Sequence, residues 1–194
     1  MNPPHRDAGQ AFPIYITVVA GLLFLALAYL AVGQASVNRS GAQTAADAAA
    51  LAAAQNERDQ LTAQWVKVLA DPTKWRDIFE GRVTFDDPCG RAGRLAAQND
   101  AVLSDCFAPE LLKYRVDVQT DKSVGRSVVP GSENYRSKAS ATAEIEPLCT
   151  PPDAGGGGDT PLQLTCKDKV WHLQPDDTTG LPKPEDLFDV HLAD

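Results

Sequence analysis

The chain has no cluster of Lys or Arg. Its 194 residues carry 18 basic and 26 acidic side chains, a formal net charge of −8. Without a basic patch it lacks the electrostatic footprint of a nucleic-acid binder. Cysteine and histidine are scarce, at four and three. None forms a CxxC or HxxH pair, which excludes the commoner zinc modules. Gly and Pro number 14 each, too few for a collagen-like or low-complexity chain. Apolar residues at 43% and charged residues at 23% are ordinary for folded protein and argue against wholesale disorder. The length suits one domain, or one domain with an appendage.

Catalytic strings are missing as well. There is no G-x-S-x-G nucleophile elbow. Gly155 to Gly158 are followed by Asp159-Thr160-Pro161 rather than the Gly-Lys-Ser/Thr of a phosphate loop, so they read as a flexible hairpin tip. His5, His172 and His191 fall in separate segments, and His172 sits between Trp171 and Leu173 on an expected strand. Asp86-Asp87 and Asp176-Asp177 lie near prolines and read as solvated turns. Neither an enzyme site nor a cofactor, metal or small-molecule substrate is expected.

Charge is also absent from Ala8 to Asn38, and within that window Phe12 to Val32 is almost wholly apolar. As a helix this run is about 30 Å long, the thickness of a bilayer's hydrocarbon core. Pro13 stands at its entry, where a missing N–H costs little, and Tyr15 and Tyr29 lie near its ends as interfacial aromatics do. The competing reading is a cleaved signal peptide, with Gly33-Gln34-Ala35 before Ser36 as the cleavage site. Signal peptides have apolar regions of about 7–15 residues, and this one is longer. The expected organisation is a cytoplasmic tail (1–11), a transmembrane helix (12–37), an Ala-rich extracytoplasmic helix (38–70), an α+β domain (71–174) and a Pro/Asp-rich tail (175–194). The orientation rests on the short tail and on the four Cys. All four follow the span, and an even number of Cys suits an oxidising exterior. The part after Asn38 then carries 17 basic and 25 acidic residues.

No proline occurs between Pro13 and Pro72, and nine of the fourteen residues from Gly41 to Ala54 are Ala, the best helix former. One helix from the membrane to about Leu69, about 85 Å long, is expected. Its Ala tract has only small side chains, which let another helix approach closely. Gln43, Ala46, Asp47, Ala49, Ala50, Leu51 and Ala53 are the expected helix-packing residues for such a neighbour. On that reading Ala49→Trp or Ala52→Trp impairs assembly and leaves the domain folded. Farther on, Leu61, Trp65, Val68 and Leu69 recur on one face, which should dock on the domain.

Gly9-Gln10, the apolar span, Arg39 and the run Gln43-Thr44-Ala45-Ala46-Asp47-Ala48-Ala49-Ala50-Leu51-Ala52-Ala53-Ala54 together resemble the N-terminal region of Tad pilus-assembly proteins of the TadE/TadG type. The resemblance covers about residues 6 to 60. It implies a structural component of a Tad pilus or related secretion apparatus, with pilin-like or Tad components as helix-packing partners. Processed pilins of this system carry Glu-Tyr shortly after a Gly cleavage point. Here Ile14-Tyr15 occupies those positions, which favours the unprocessed, TadG-like type. The Asp-x-Ser-x-Ser string of the von Willebrand-type domain of larger TadG-like proteins is absent. Leu95 to Cys106, a helix end followed by a strand ending in Cys, is similar to the periplasmic part of small TadE-like proteins. The alternative from another class is an envelope-anchored binding module unrelated to pili.

The exported part reads as α+β: the long helix packed on a small antiparallel sheet. Asp71-Pro72 restarts a helix over Thr73 to Glu80, with Trp75, Ile78 and Phe79 inward. Val83 to Phe85 is expected as a short strand and Gly90 to Asn99 as a helix. Leu112 to Thr120 and Ala139 to Ile145 alternate apolar and polar residues as half-buried strands do. Asp121 to Ser137 is a connection, and Leu162 to Cys166 and Val170 to Leu173 are further strands. Leu187, Phe188, Val190 and Leu192 are left to dock on the domain or serve as a partner-binding peptide. Four Cys allow three connectivities. Cys89–Cys106 and Cys149–Cys166 are preferred on geometry. A helix from Gly90 to Asn99 climbs about 15 Å, and the following seven residues can return about 23 Å. Strands ending at Cys149 and Cys166 can lie side by side.

Overall fold

The computed structural model of the chain describes residues 11–123, 134–152, 162–167, 169–174 and 180–193. His5, Gly125, Pro130 and Gly131, the Gly155–Gly158 run, and Asp176-Asp177 lie outside the described residues.

Helix α1 runs without interruption over Ala11–Lys67, 57 residues, or about 85 Å. A 3-10 turn at Pro72–Lys74 leads into α2, Trp75–Phe79. Asp71 does not cap this turn with its side chain; its carboxylate instead accepts the Thr73 hydroxyl at 2.5 Å. Helix α3 spans Cys89–Gln98. The strands are β1 (Ala101–Phe107), β2 (Lys113–Thr120), β3 (Lys138–Pro147), β4 (Cys149–Thr150), β5 (Leu162–Cys166) and β6 (Lys169–Leu173). A single-turn helix α4, Pro184–Leu187, and strand β7, Phe188–Leu192, follow.

The strands form two antiparallel sheets, a four-stranded one ordered β1-β2-β3-β7 and a three-stranded one ordered β4-β5-β6. Directly opposite residues share a face. Tyr114, Val116 and Val118 therefore lie beside Ala143, Ala141 and Ala139 on the face toward α1. The opposite face carries Lys113, Arg115, Ser140, Thr142 and Glu144, the polar half of the alternation. On α1, Ala42, Ala45, Ala46, Ala49, Ala50, Ala53 and Ala54 are fully buried. Small side chains on both partners let the helix lie close over β3. The second side of α1 is covered by α3, through Ala92 and Ala96, both fully buried. Trp65, Trp75, Phe79 and Phe188 fill the far end of the core. Trp65 and Trp75 meet edge to face at 5.6 Å, and Phe79 and Phe188 stack at 5.2 Å.

One expectation is corrected and one open alternative is decided. Val83 to Phe85 is not a strand. It runs extended beside α1, where glutamine side chains take the place of a strand partner: Gln64 Nε2 donates to Thr84 O at 2.7 Å, and Gln60 bonds both the N–H and the carbonyl of Asp86. Of the two readings of the C-terminal apolar residues, the structure shows the docked one. Leu187 and Phe188 are fully buried, and β7 pairs with β3 from Ala143↔Leu192 to Pro147↔Phe188. Phe188, Val190 and Leu192 alternate with Asp189 and His191, the period of a half-buried strand.

Candidate functional site: an exposed apolar helix joined to a packed domain

The two halves of α1 have opposite surroundings. Phe12–Leu30, 19 residues of mean hydropathy 2.2, is the one helix among the described residues long and apolar enough to cross a membrane, and none of it is buried. Phe12, Phe24 and Tyr29 are 72%, 71% and 80% exposed. A continuous bare apolar cylinder about 28 Å long matches a bilayer core rather than water. Its one aliphatic hydroxyl, on Thr17, bonds back to the carbonyls of Pro13 and Ile14 at 2.8 and 2.9 Å, which suits a polar group in an apolar surrounding.

From Ala42 onward one side of α1 is enclosed. Of the expected helix-packing set, Ala46, Ala49, Ala50 and Ala53 are fully buried, and Leu51 packs against the same core. What covers them is this chain's own sheet and α3, so these residues are not a free face for another protein's helix. Small side chains let sheet and α3 both come close on that side, while Thr44 stays exposed and Asp47, Ala48 and Leu51 are half-buried on the other. Gln43 and Asp47 stand at the margin. Gln43 Nε2 donates to Asp47 Oδ1 at 2.8 Å and to Ser140 O on β3 at 3.4 Å, beyond the end of β7.

The Cys pairs are joined within the domain. Cys89, at the start of α3, bonds Cys106 on β1 with Cα atoms 5.9 Å apart, and Cys149 bonds Cys166 across β4 and β5. A bulge makes the first bridge reachable. Strand β1 slips register between Leu103 and Asp105, so Leu103 faces Val118 and Cys106 faces Val116. Without the extra residue, Leu103 and Cys106 would point to opposite faces. Asp87 is more than a solvated turn residue: its Oδ1 accepts the Cys89 N–H at 2.9 Å at the entrance to α3.

One buried polar pair was not singled out from the sequence. Glu57 on α1 is 1% exposed and is hydrogen-bonded by Tyr114, itself 3% exposed, on β2. Burial pushes the Glu57 carboxyl above its usual range, and the Tyr114 hydrogen bond opposes part of that rise. Burial, the Glu57 hydrogen bond and the Glu57 and Asp87 charges raise the Tyr114 phenol. The sequence signal was a spacing: Ala53, Glu57, Leu61 and Trp65 follow one another at four-residue steps on a buried face.

No arrangement resembling a catalytic centre is formed by the described histidines. His172 lies on β6 beside Gln163 and His191 on β7, in different sheets. Glu146, Asp189 and His191 place ligand-type atoms within 4.8 Å of one another, and all three are exposed on the outer face.

Residues 9–56 match a family model described as putative Flp pilus-assembly TadE/G-like. The matched stretch contains the apolar half of α1 and its alanine tract. No curated protein and no solved structure matches the chain.

Proposed function

We propose that the protein is a structural component of a Tad-type pilus or related secretion apparatus, anchored in the cell membrane by the first half of α1. Its N-terminus is cytoplasmic and its disulfide-bonded domain lies outside. The observation that carries this reading is the continuity of α1: a bare apolar span and a core helix are one element, and the family match covers both parts. Two disulfides fit an oxidising compartment. Ile14 in place of the Glu of processed pilins supports the unprocessed, TadG-like type. Because the Ala tract is occupied, helix-packing partners are assigned to the exposed part of α1 before Ala42, where Gly21, Gly33 and Gly41 have open space beside them.

The test is co-purification of the full-length, tagged protein from mild detergent extracts of its native cells. Recovery with pilin-like or Tad membrane components is expected. Recovery with none of them, in extracts where those components are present and assembled, overturns the reading.

A further inference from the structure

The lower end of the domain does not close against α1. Between them lies an open groove of about 580 Å³. Tyr29, Leu30 and Val37 line its helix wall, and Asn99, Lys122 and Ser123 line its domain wall.

Depth, chemistry and room point to one occupant. The apolar span ends at Leu30. The headgroup layer of a bilayer adds about 5–8 Å beyond each side of the hydrocarbon core. At 1.5 Å per residue that layer takes in about four or five further residues of a helix. The groove therefore begins at the hydrocarbon edge, rises through the headgroup layer and continues beyond it to Gly41. Its two walls differ as the two ends of a phospholipid differ. The helix wall offers an aromatic ring and aliphatic side chains. The domain wall offers an amide, the hydroxyls of Thr120 and Ser123, and the Lys122 ammonium, which is 81% exposed and paired at 3.3 Å with the Asp100 carboxylate on the same wall. A second apolar helix would match the first wall and leave the polar groups of the other facing hydrocarbon. The room comes from glycine. Gly33 and Gly41 also line the helix wall, and a Cβ at either would meet nothing within 4 Å. Packing does not demand glycine there; its absence of side chain leaves the groove open.

We infer that this groove holds the head group and upper acyl carbons of one membrane phospholipid, on the leaflet facing the domain. The inference rests on the anchoring reading above and adds to it a lipid-filled joint between span and domain.

The experiment uses the full-length protein in nanodiscs of mixed phosphatidylcholine and phosphatidylglycerol. The photo-crosslinker p-benzoylphenylalanine is placed singly at Leu23 in the span, Ser123 in the groove and Thr73 beyond the far end of α1, with adducts read by mass spectrometry. Phospholipid adducts are expected at Leu23 and Ser123 and not at Thr73. Gly33→Leu puts a side chain into the groove, where its Cβ meets nothing within 4 Å, and should cut the Ser123 adduct several-fold while leaving the Leu23 adduct unchanged. An adduct at Leu23 with none at Ser123 overturns the groove and keeps the anchor. A Ser123 adduct unaffected by Gly33→Leu overturns it too, because mere proximity to the membrane then suffices. A protein adduct at Ser123 assigns the groove to another chain. No lipid adduct at Leu23 overturns the anchoring reading itself.

Discussion

Glu57 is the only charged residue buried among the described residues, and it sits where α1 meets β2. A buried carboxylate is penalised when ionised. Its pKa is raised in the folded state from an ordinary value of 4.5. Between that value and the folded pKa the native state therefore binds more protons than the unfolded state. Stability falls as pH rises through that window, and the full penalty stands above the folded pKa. Glu57→Gln keeps an acceptor for the Tyr114 hydroxyl and removes the charge. Thermal melts of the detergent-solubilised variant should show higher stability at pH 7 and a flatter profile from pH 4.5 upward. Tyr114→Phe leaves the carboxylate without its donor and should cost about 1–3 kcal/mol at pH 7, with a smaller loss near pH 4.5. An unchanged pH profile in Glu57→Gln would show that the carboxylate is solvated in the native protein. In the sequence Glu57 is flanked by Asn56, Arg58, Asp59 and Gln60, which disguise it as part of a solvated face. Only its spacing from Ala53 and Leu61 marks it as inward, and Tyr114 is 57 positions away along the chain.

At the scale of elements, the alanine tract decides how α1 packs. The long helix, the alternating strands β2 and β3, and the small side of β3 were all legible, because each leaves a periodic trace. The identity of the element covering the alanines was not. A helix with small side chains on every face offers no bulky stripe to mark which side is inward, so the sequence allowed an external helix and the fold supplies a sheet and α3. This reverses the expected outcome of one substitution. Ala49 is fully buried in the core, and overpacking a filled site costs typically about 1–3 kcal/mol, occasionally more. A Trp side chain in place of a methyl belongs at the upper end. Ala49→Trp should lower the melting temperature of the domain as well as impair assembly; a variant with a native melt would restore the external-helix reading. Gly41→Ala is the contrasting case. Its Cβ meets nothing, and exchanging Gly for Ala in a helix gains about 1 kcal/mol, so its melting temperature should rise slightly. The C-terminal strand was hidden for a different reason. Its Pro- and Asp-rich lead suggested a tail, and the apolar alternation of Phe188, Val190 and Leu192 spans only five residues.

For the whole molecule, anchoring, orientation and covalent bridges form one linked claim. On the proposed reading the bare span lies in lipid and the disulfides form on the oxidising side. The loop closed by each bridge, with a sequence separation of 17, is worth about 3 kcal/mol in the chain-entropy model. A domain on the reducing side would lose both contributions. The expected outcomes can therefore be checked against one another in the native cell. Carbonate extraction should leave the full-length chain with membranes. Protease added to spheroplasts should remove the domain and leave a protected fragment containing Phe12–Leu30. Non-reducing peptide mapping should find Cys89 joined to Cys106 and Cys149 joined to Cys166. A soluble form beginning at Ser36 would instead mark the apolar run as a cleaved signal, and the exported, bridged domain would survive that result. A domain protected from external protease and carrying four free thiols would overturn the orientation while leaving the anchor intact. The two failures have different signatures because the span depends on the first half of α1 and the bridges depend on which side of the membrane the second half reaches.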